Sequence, residues 1–284
     1  MNYQEKNAGF LTHSKLQAFR FCQMYYYLKY EENALKESKS DALLMGTAFD
    51  LREQGSEKFD DFIFKNFHVG ERRSKQGKID CEIAESEGKA IITNNALSKM
   101  REQIEQMYNA MTQSELYIPL GNPQERIEIE YKGIKLAGDM DDLQLENKLI
   151  IDTKTVASVD FLKRSHPQYN CKYREYYKMQ LAFYQLLVEL KHGVACDGIL
   201  KVVSKEETPR TIFFKESAES LKELRGLLLE LIERYITKKE SGKYSIATML
   251  NYPDRVDYFK CCNCPAYGVC KFGKQDDYFS LDDF

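Results

Sequence analysis

Residues 133–155 read GIKLAGDMDDLQLENKLIIDTKT. Two runs rich in apolar and β-branched residues, Ile134 to Leu145 and Lys148 to Val156, meet at the polar triplet Glu146 to Lys148. That is the pattern of two strands joined by a turn. With the turn at the triplet, antiparallel partners have residue numbers that sum to about 293 to 295. Asp141 then lies opposite Asp152 or Thr153. Side chains alternate between faces along a strand, so Asp152 and Lys154 share a face. Two carboxylates and one ammonium group converge on a small patch of sheet. Asp139 shares a face with Asp141 by the same alternation and Asp142 adjoins both, so alternation alone does not choose among them.

The flanks extend this hairpin into a domain. Arg126 to Tyr131 reads as a preceding strand, with Gly133 at the turn. After the hairpin, a Tyr-, Leu- and Met-rich helix is expected from about Lys172 to Lys191, closed by Gly193 as its C-cap. Two strands, Ile199 to Ser204 and Arg210 to Phe214, precede an amphipathic helix over Ser217 to Lys239. Its core positions are Leu221, Leu224, Leu228, Leu231 and Ile232. On the N-terminal side, Ser14 stands three residues before Gln17, the capping-box spacing, and opens a helix through LQAFRFCQMYYYLKY. ALLMGTAFDLREQG, residues 42–55, reads as a second helix, and a third runs from about Asn95 to Met111. Between Asp60 and Ile91 the pattern is poor, and ERRSKQGK (71–78) reads as an exposed basic loop. The order of helices, three strands, helix, two strands and helix specifies an α/β domain on a central mixed sheet flanked by helices. With six prolines and no Gly/Ser-rich linker, one domain is expected over residues 1–275, its core at about 120–240, followed by an acidic tail at 276–284.

Composition narrows the function. The 284 residues are 43% hydrophobic and 30% charged, which excludes a disordered or fibrous chain. No apolar run reaches the ~18 residues needed to cross a bilayer. The start has no basic segment followed by an apolar one, so a cytoplasmic protein is expected. Eight cysteines there do not read as a disulfide framework. Lys and Arg number 41 against 44 Asp and Glu. Nucleic-acid binding must therefore come from local patches, such as Arg72 to Lys78 and the residues Lys163, Arg164, Lys172 and Arg174. The four histidines fit no metal or triad spacing.

Paired carboxylates suit Mg²⁺ or Mn²⁺, which prefer oxygen ligands and keep several waters. Such an ion acidifies water and offsets charge building on a phosphate, and a lysine beside it stabilises that charge. The alternative is a solvated, salt-bridged strand face. Leu149, Ile150 and Ile151 carry the strand into a core, where an aspartate needs a partner or a role.

The segment resembles the PD-(D/E)xK nuclease superfamily: G-x-x-D at Gly138 to Asp141, then I-D-x-K-T at Ile151 to Thr155. Gln180 and Tyr184, four apart on the next helix, are similar to the Q-x3-Y motif of the RecB-like branch. GTAFD at Gly46 to Asp50 stands where that branch carries G-x-x-x-H, with Asp50 replacing the histidine. The resemblance implies a restriction-endonuclease-like core. It implies Asp141 and Asp152 as metal ligands with the Thr153 carbonyl, Asp50 as a further ligand, and Lys154 as the catalytic lysine. Gln180 and Tyr184 would position the lysine, the water or the DNA. Glu128 is a further candidate ligand whose alternative is an exposed strand acid. Overall the layout is most similar to RecE-like (exodeoxyribonuclease VIII-type) phage exonucleases. That implies hydrolysis of DNA by in-line attack of water, leaving a 5′ phosphate. A CRISPR-associated RecB-like nuclease and an inactive DNA-binding module are the alternatives.

At the C-terminal end, CCNCPAYGVC places Cys261, Cys264 and Cys270 as C-x2-C-x5-C. Cys22 in RFCQMYY is the natural fourth. This split set resembles that of AddB-type and CRISPR-associated RecB-like nucleases. There it implies a 4Fe–4S cluster stapling the N- and C-terminal segments together. Four thiolates also suit zinc. The tail DDYFSLDDF suggests docking on a partner such as a single-stranded-DNA-binding protein, an annealing protein or a helicase, or else a frayed terminus.

Overall fold

The fold is that of a computed structural model, in which residues 6–35, 41–166 and 171–240 are described. Helix α1 (His13–Phe21) is capped by Thr12, whose Oγ1 accepts from the Lys15 amide at 3.4 Å. The cap is therefore two residues earlier than the Ser14 expected from spacing. The helix does not continue through the aromatic run. Cys22 adopts an extended conformation (φ −161°, ψ 120°), and a short helix α2 (Gln23–Tyr26) restarts after it and widens into a π-turn at Tyr27–Glu31.

Helix α3 (Asp41–Gln54) follows. The stretch expected to be irregular is instead ordered as α4 (Ser56–Asn66), β1 (Phe67–Val69), α5 (Lys75–Ser86) and β2 (Ala90–Ile92). Its weak pattern has a physical cause. Helix α4 buries only Phe59 and Ile63, α5 buries only Cys81 and Ala84, and the two strands form a small parallel pair of three residues each. The basic cluster at 71–78 is split between a turn and the start of α5, which Ser74 caps. Arg72 pairs with Glu85 and Arg73 with Glu71. Helix α6 (Asn94–Thr112) occupies the expected position.

The central sheet has the order β3-β4-β5-β6-β7 among the described residues, with β3 at Pro123–Tyr131, β4 at Ile134–Gln144 and β5 at Leu149–Val156. Strands β3 and β4 turn at Lys132 and Gly133, which both have positive φ, the two-residue turn that matches strand twist. After β5 a 3-10 turn (Val159–Lys163) leads to α7 (Tyr173–His192), whose crossover makes β6 (Asp197–Ser204) parallel to β5. Gly193, at φ +70°, ends α7 as expected. Strand β7 (Thr211–Glu216) returns antiparallel, and α8 (Lys222–Glu240) closes the described chain.

Each face of the sheet carries its own core. Leu200 and Val202 of β6 pack with Ile150, Leu181, Leu187 and Leu228, while Val203 packs with Ala48, Phe49, Ile104 and Met107. The sheet is thus sandwiched between the α1, α7 and α8 layer and the α3 and α6 layer. Gly138 of β4 permits close approach of α7. A Cβ there would stand 2.7 Å from Leu187 Cδ1 and 3.0 Å from the Tyr184 ring.

Candidate active site in the fork between two strands

The register of the decisive hairpin is the one its turn specifies. Asp142, Leu143 and Gln144 pair with Ile151, Ile150 and Leu149, residue numbers summing to 293. Pairing is recorded over these three positions only, although β4 begins at Ile134 and β5 runs to Val156. Beyond Asp142 and Ile151 the strands part, β4 staying with β3 and β5 with β6. Asp141 and Asp152 stand where this fork opens.

The local contacts separate the aspartates that alternation left equivalent. Asp139 is held by Lys6 at 2.7 Å and by Arg126 at 3.1 Å. Asp142 is fully buried and satisfied: it accepts from the amides of Gly121 (2.9 Å) and Asn122 (2.6 Å) and from Gln144 Nε2 (2.7 Å). Asp141 instead reaches across the fork, its Oδ2 accepting from the Thr153 amide at 2.7 Å. Lys154 Nζ lies 2.6 Å from Asp152 Oδ2 as an ion pair, yet that oxygen, shut away from solvent, accepts no well-angled hydrogen bond. Glu128 is an exposed strand acid paired with Arg126 at 2.5 Å.

Asp50 of α3 belongs to the same electrostatic cluster. Burial first, then the charges of Asp141, Glu53 and Asp152, push its carboxyl well above the usual range, against the pull of Lys154. Burial and Asp141 push Asp152 up to about 6, although Lys154 opposes them. Burial alone would lower Lys154, but Asp152, Asp141 and Asp50 more than offset it and hold the ammonium charged. Buried carboxylates with raised affinity for protons also favour a cation.

Sequence reasoning missed four residues here. Glu53, one turn after Asp50, ion-pairs at 2.6 Å with Lys201 of β6, and both side chains are buried. Tyr177 of α7 places its ring 5.8 Å from Lys154 Nζ. His13 is buried against the rings of Tyr176 and Phe183, and burial together with Lys154 lowers its imidazole to about 3. The signals were present but faint: an i, i+3 acid beside Asp50, and a lone lysine within the apolar run GILKVVS. Gln180 and Tyr184 do come together. Gln180 Nε2 donates to Tyr184 Oη at 2.7 Å, and the Tyr184 ring lies against Gly138. The same helix reaches Lys154 through Tyr177, one turn nearer its N-terminus.

Among the described residues, no three His, Cys, Asp or Glu side chains are grouped closely enough to hold an ion by themselves. Mg²⁺ does not require three, since it binds through one or two carboxylates and retains waters. Asp141 and Asp152 supply that donor set, hard oxygens in a site whose negative charge exceeds its positive charge. The residues fit a small divalent cation. Cys22 lies at the break between α1 and α2 and is partly buried. Cys261, Cys264, Cys270 and the acidic tail lie outside the described residues, and so does the segment they were expected to staple. No helix among the described residues is long and apolar enough to cross a membrane.

Residues 12–247 match the family described as a PDDEXK-like domain of unknown function (DUF3799). Among solved structures, the chain is similar to the "Putative exonuclease" of Eubacterium rectale. The TM-score is 0.62 at 20% identity, over 88% of this chain and 91% of that one. A phage-related exonuclease from Haemophilus somnus 129PT aligns over 77% of this chain and 95% of that one at 17% identity, with a TM-score of 0.26 too low to carry an argument. Among curated proteins none matches.

Proposed function

Because the chain belongs to the PDDEXK-like family DUF3799, we propose that it is a divalent-metal-dependent DNA exonuclease of phage or prophage type, acting in DNA-end processing or recombination. The observation that carries this reading is the cluster of Asp141, Asp152 and Lys154 at the fork, with Asp50 facing it from α3. The exonuclease named among the similar structures supports the same class of reaction.

Asp141 and Asp152, with the Thr153 carbonyl, would hold Mg²⁺ or Mn²⁺, and Asp50 would add negative charge from α3, joining them as a ligand on a shift of its side chain. Such an ion supplies charge neutralisation for the phosphate and an acidified water. The chain's own groups do the rest. The Thr153 amide fixes the rotamer of Asp141. Asp152 holds the Lys154 ammonium at the fork, where it donates to a non-bridging phosphate oxygen as negative charge grows there. Tyr177 walls Lys154 on the α7 side. Gln180 and Tyr184, locked to each other, would position the lysine or the DNA backbone. Lys163, Lys172, Arg174 and Lys178 line a cavity of about 450 Å³ beside the start of α7, together with Glu175. Asp160 and Glu216 line it too and pair with Lys163, Arg174 and Lys178, so any phosphate contact there would compete with these ion pairs.

Cys22 with Cys261, Cys264 and Cys270 is proposed to bind a structural 4Fe–4S cluster, with zinc as the alternative. Iron and sulfide analysis of anaerobically purified protein decides between them. The nuclease reading is tested by digesting end-labelled linear DNA with Mg²⁺ or Mn²⁺. Wild type should release labelled nucleotides, and should stop doing so with EDTA or as Lys154→Ala. Equal degradation by both proteins would place the activity elsewhere.

A further inference from the structure

Lys201 stands beside Thr153 in the parallel register of β5 and β6 and is completely buried. Lysine is almost never found there unless paired. Its Nζ lies 2.6 Å from Glu53 Oε1, and the Tyr117 ring lies 5.1 Å from it. The other Glu53 oxygen accepts from Thr153 Oγ1 at 3.2 Å, and the Thr153 amide donates to Asp141 at 2.7 Å. One chain of polar contacts therefore runs from Lys201 through Glu53 and Thr153 to Asp141, joining β6, α3, β5 and β4. Both Glu53 oxygens are already engaged.

The charge at the fork points the same way. Counted at full ionisation, the state a bound cation favours, the carboxylates of Asp50, Glu53, Asp141 and Asp152 and the ammonium groups of Lys154 and Lys201 leave a formal excess of two negative charges. Widening the circle to Asp142, which faces Tyr117, and Lys205, which faces Asp50, adds one charge of each sign and leaves the excess unchanged. One divalent ion removes it. A second would leave an equal positive excess in a largely buried site, which is costly without further counter-charge.

We propose that the Lys201 ammonium takes the place a second cation would occupy beside Glu53, so that the DNA-free protein binds a single divalent ion, with Glu53 as a positioning residue for Thr153 and Asp141 rather than a ligand. This rests on the reading of the fork as a divalent-ion site. The structural consequence is a fixed internal cation. It anchors the Asp50-bearing helix to the sheet whether or not the exchangeable ion is present.

The test is to count Mn²⁺ bound to the full-length, DNA-free protein by electron paramagnetic resonance and calorimetry. Mn²⁺ seeks oxygen, so cysteine thiols compete poorly for it. Wild type and Lys201→Arg should each bind one ion. Lys201→Met, which frees Glu53, should acquire a second and weaker one, and Lys201→Met with Glu53→Gln should return to one. Glu53→Gln alone should still bind one, with affinity lowered about tenfold or less. Two ions in wild type, one ion in folded Lys201→Met, or none in Glu53→Gln would each overturn the inference while leaving a metal site in place. No binding by wild type would overturn the metal-dependent reading itself and the inference with it. Should Lys201→Met fail to fold by circular dichroism, the wild-type and Glu53→Gln counts decide the matter.

Discussion

Asp142 and Asp152 lie one register step apart on adjoining strands, and both are buried, at 0% and 1% exposure. Their surroundings are opposite. Asp142, at the closed end of the hairpin, has each oxygen occupied by protein donors and acts as a bracket for the 121–122 loop. Asp152, where the strands part, faces Asp141 and Asp50, and its one close partner among the described residues is Lys154. A buried carboxylate whose donors are all protein groups is architecture. One left among like charges, with a single ammonium beside it, is the setting in which we propose a divalent cation.

Substitutions should break this contrast cleanly. The largest effect is expected for Lys154→Ala or Asp152→Asn, each lowering the rate of DNA degradation by about 10²–10³-fold or more while the protein still folds. Steady-state digestion alongside a melting curve checks this, and near-wild-type activity in either variant would remove the fork from the chemistry. Asp142→Ala should do the reverse. Two backbone amides and Gln144 lose their acceptor, costing roughly 2–4 kcal/mol of stability by urea unfolding. Activity per folded molecule should stay within a few-fold. Gly138→Ala should cost about 1–3 kcal/mol, because its Cβ would press on Leu187 and Tyr184. Asp139→Asn is expected to be mildest, under about 1 kcal/mol, since its partners Lys6 and Arg126 are on the partly exposed rim.

The same contrast explains what could be read from sequence. The turn triplet and the period of two fixed the hairpin register, and through it the opposition of Asp141 and Asp152. Those are local rules acting over about twenty residues. Which of Asp139, Asp141 and Asp142 faces the fork was not local: it depends on Lys6, Arg126 and the 121–122 amides, and only motif spacing singled out Asp141. Glu53 and Lys201 were illegible for a stronger reason, since they meet across 148 residues of sequence. Lys201 sits in a run that otherwise reads as plain core. Helices α4 and α5 were lost because a buried stripe of two residues per helix leaves no usable periodicity. The Cys22 break was hidden by the aromatic residues on both sides, which pack equally well from two short helices.

The pH response carries the contrast further. Folded Asp152 holds its proton up to about 6, above the value near 4 of an unfolded aspartate. It therefore favours the folded state at low pH, and that contribution is lost as pH rises from about 4 to about 6. At pH 7 without an ion, the ionised carboxylate should cost the fold on the order of 1–3 kcal/mol. An ion that binds only the folded state reverses this by mass action. The direct measurement is thermal unfolding of chelator-treated wild type and Asp152→Asn at pH 7, with and without Mn²⁺. Without the ion, Asp152→Asn should melt several degrees above wild type, and Mn²⁺ should raise wild type far more than the variant. A variant that melts below wild type without the ion, or an equal rise in both proteins on adding Mn²⁺, would contradict the assignment of the fork as the site of a divalent cation.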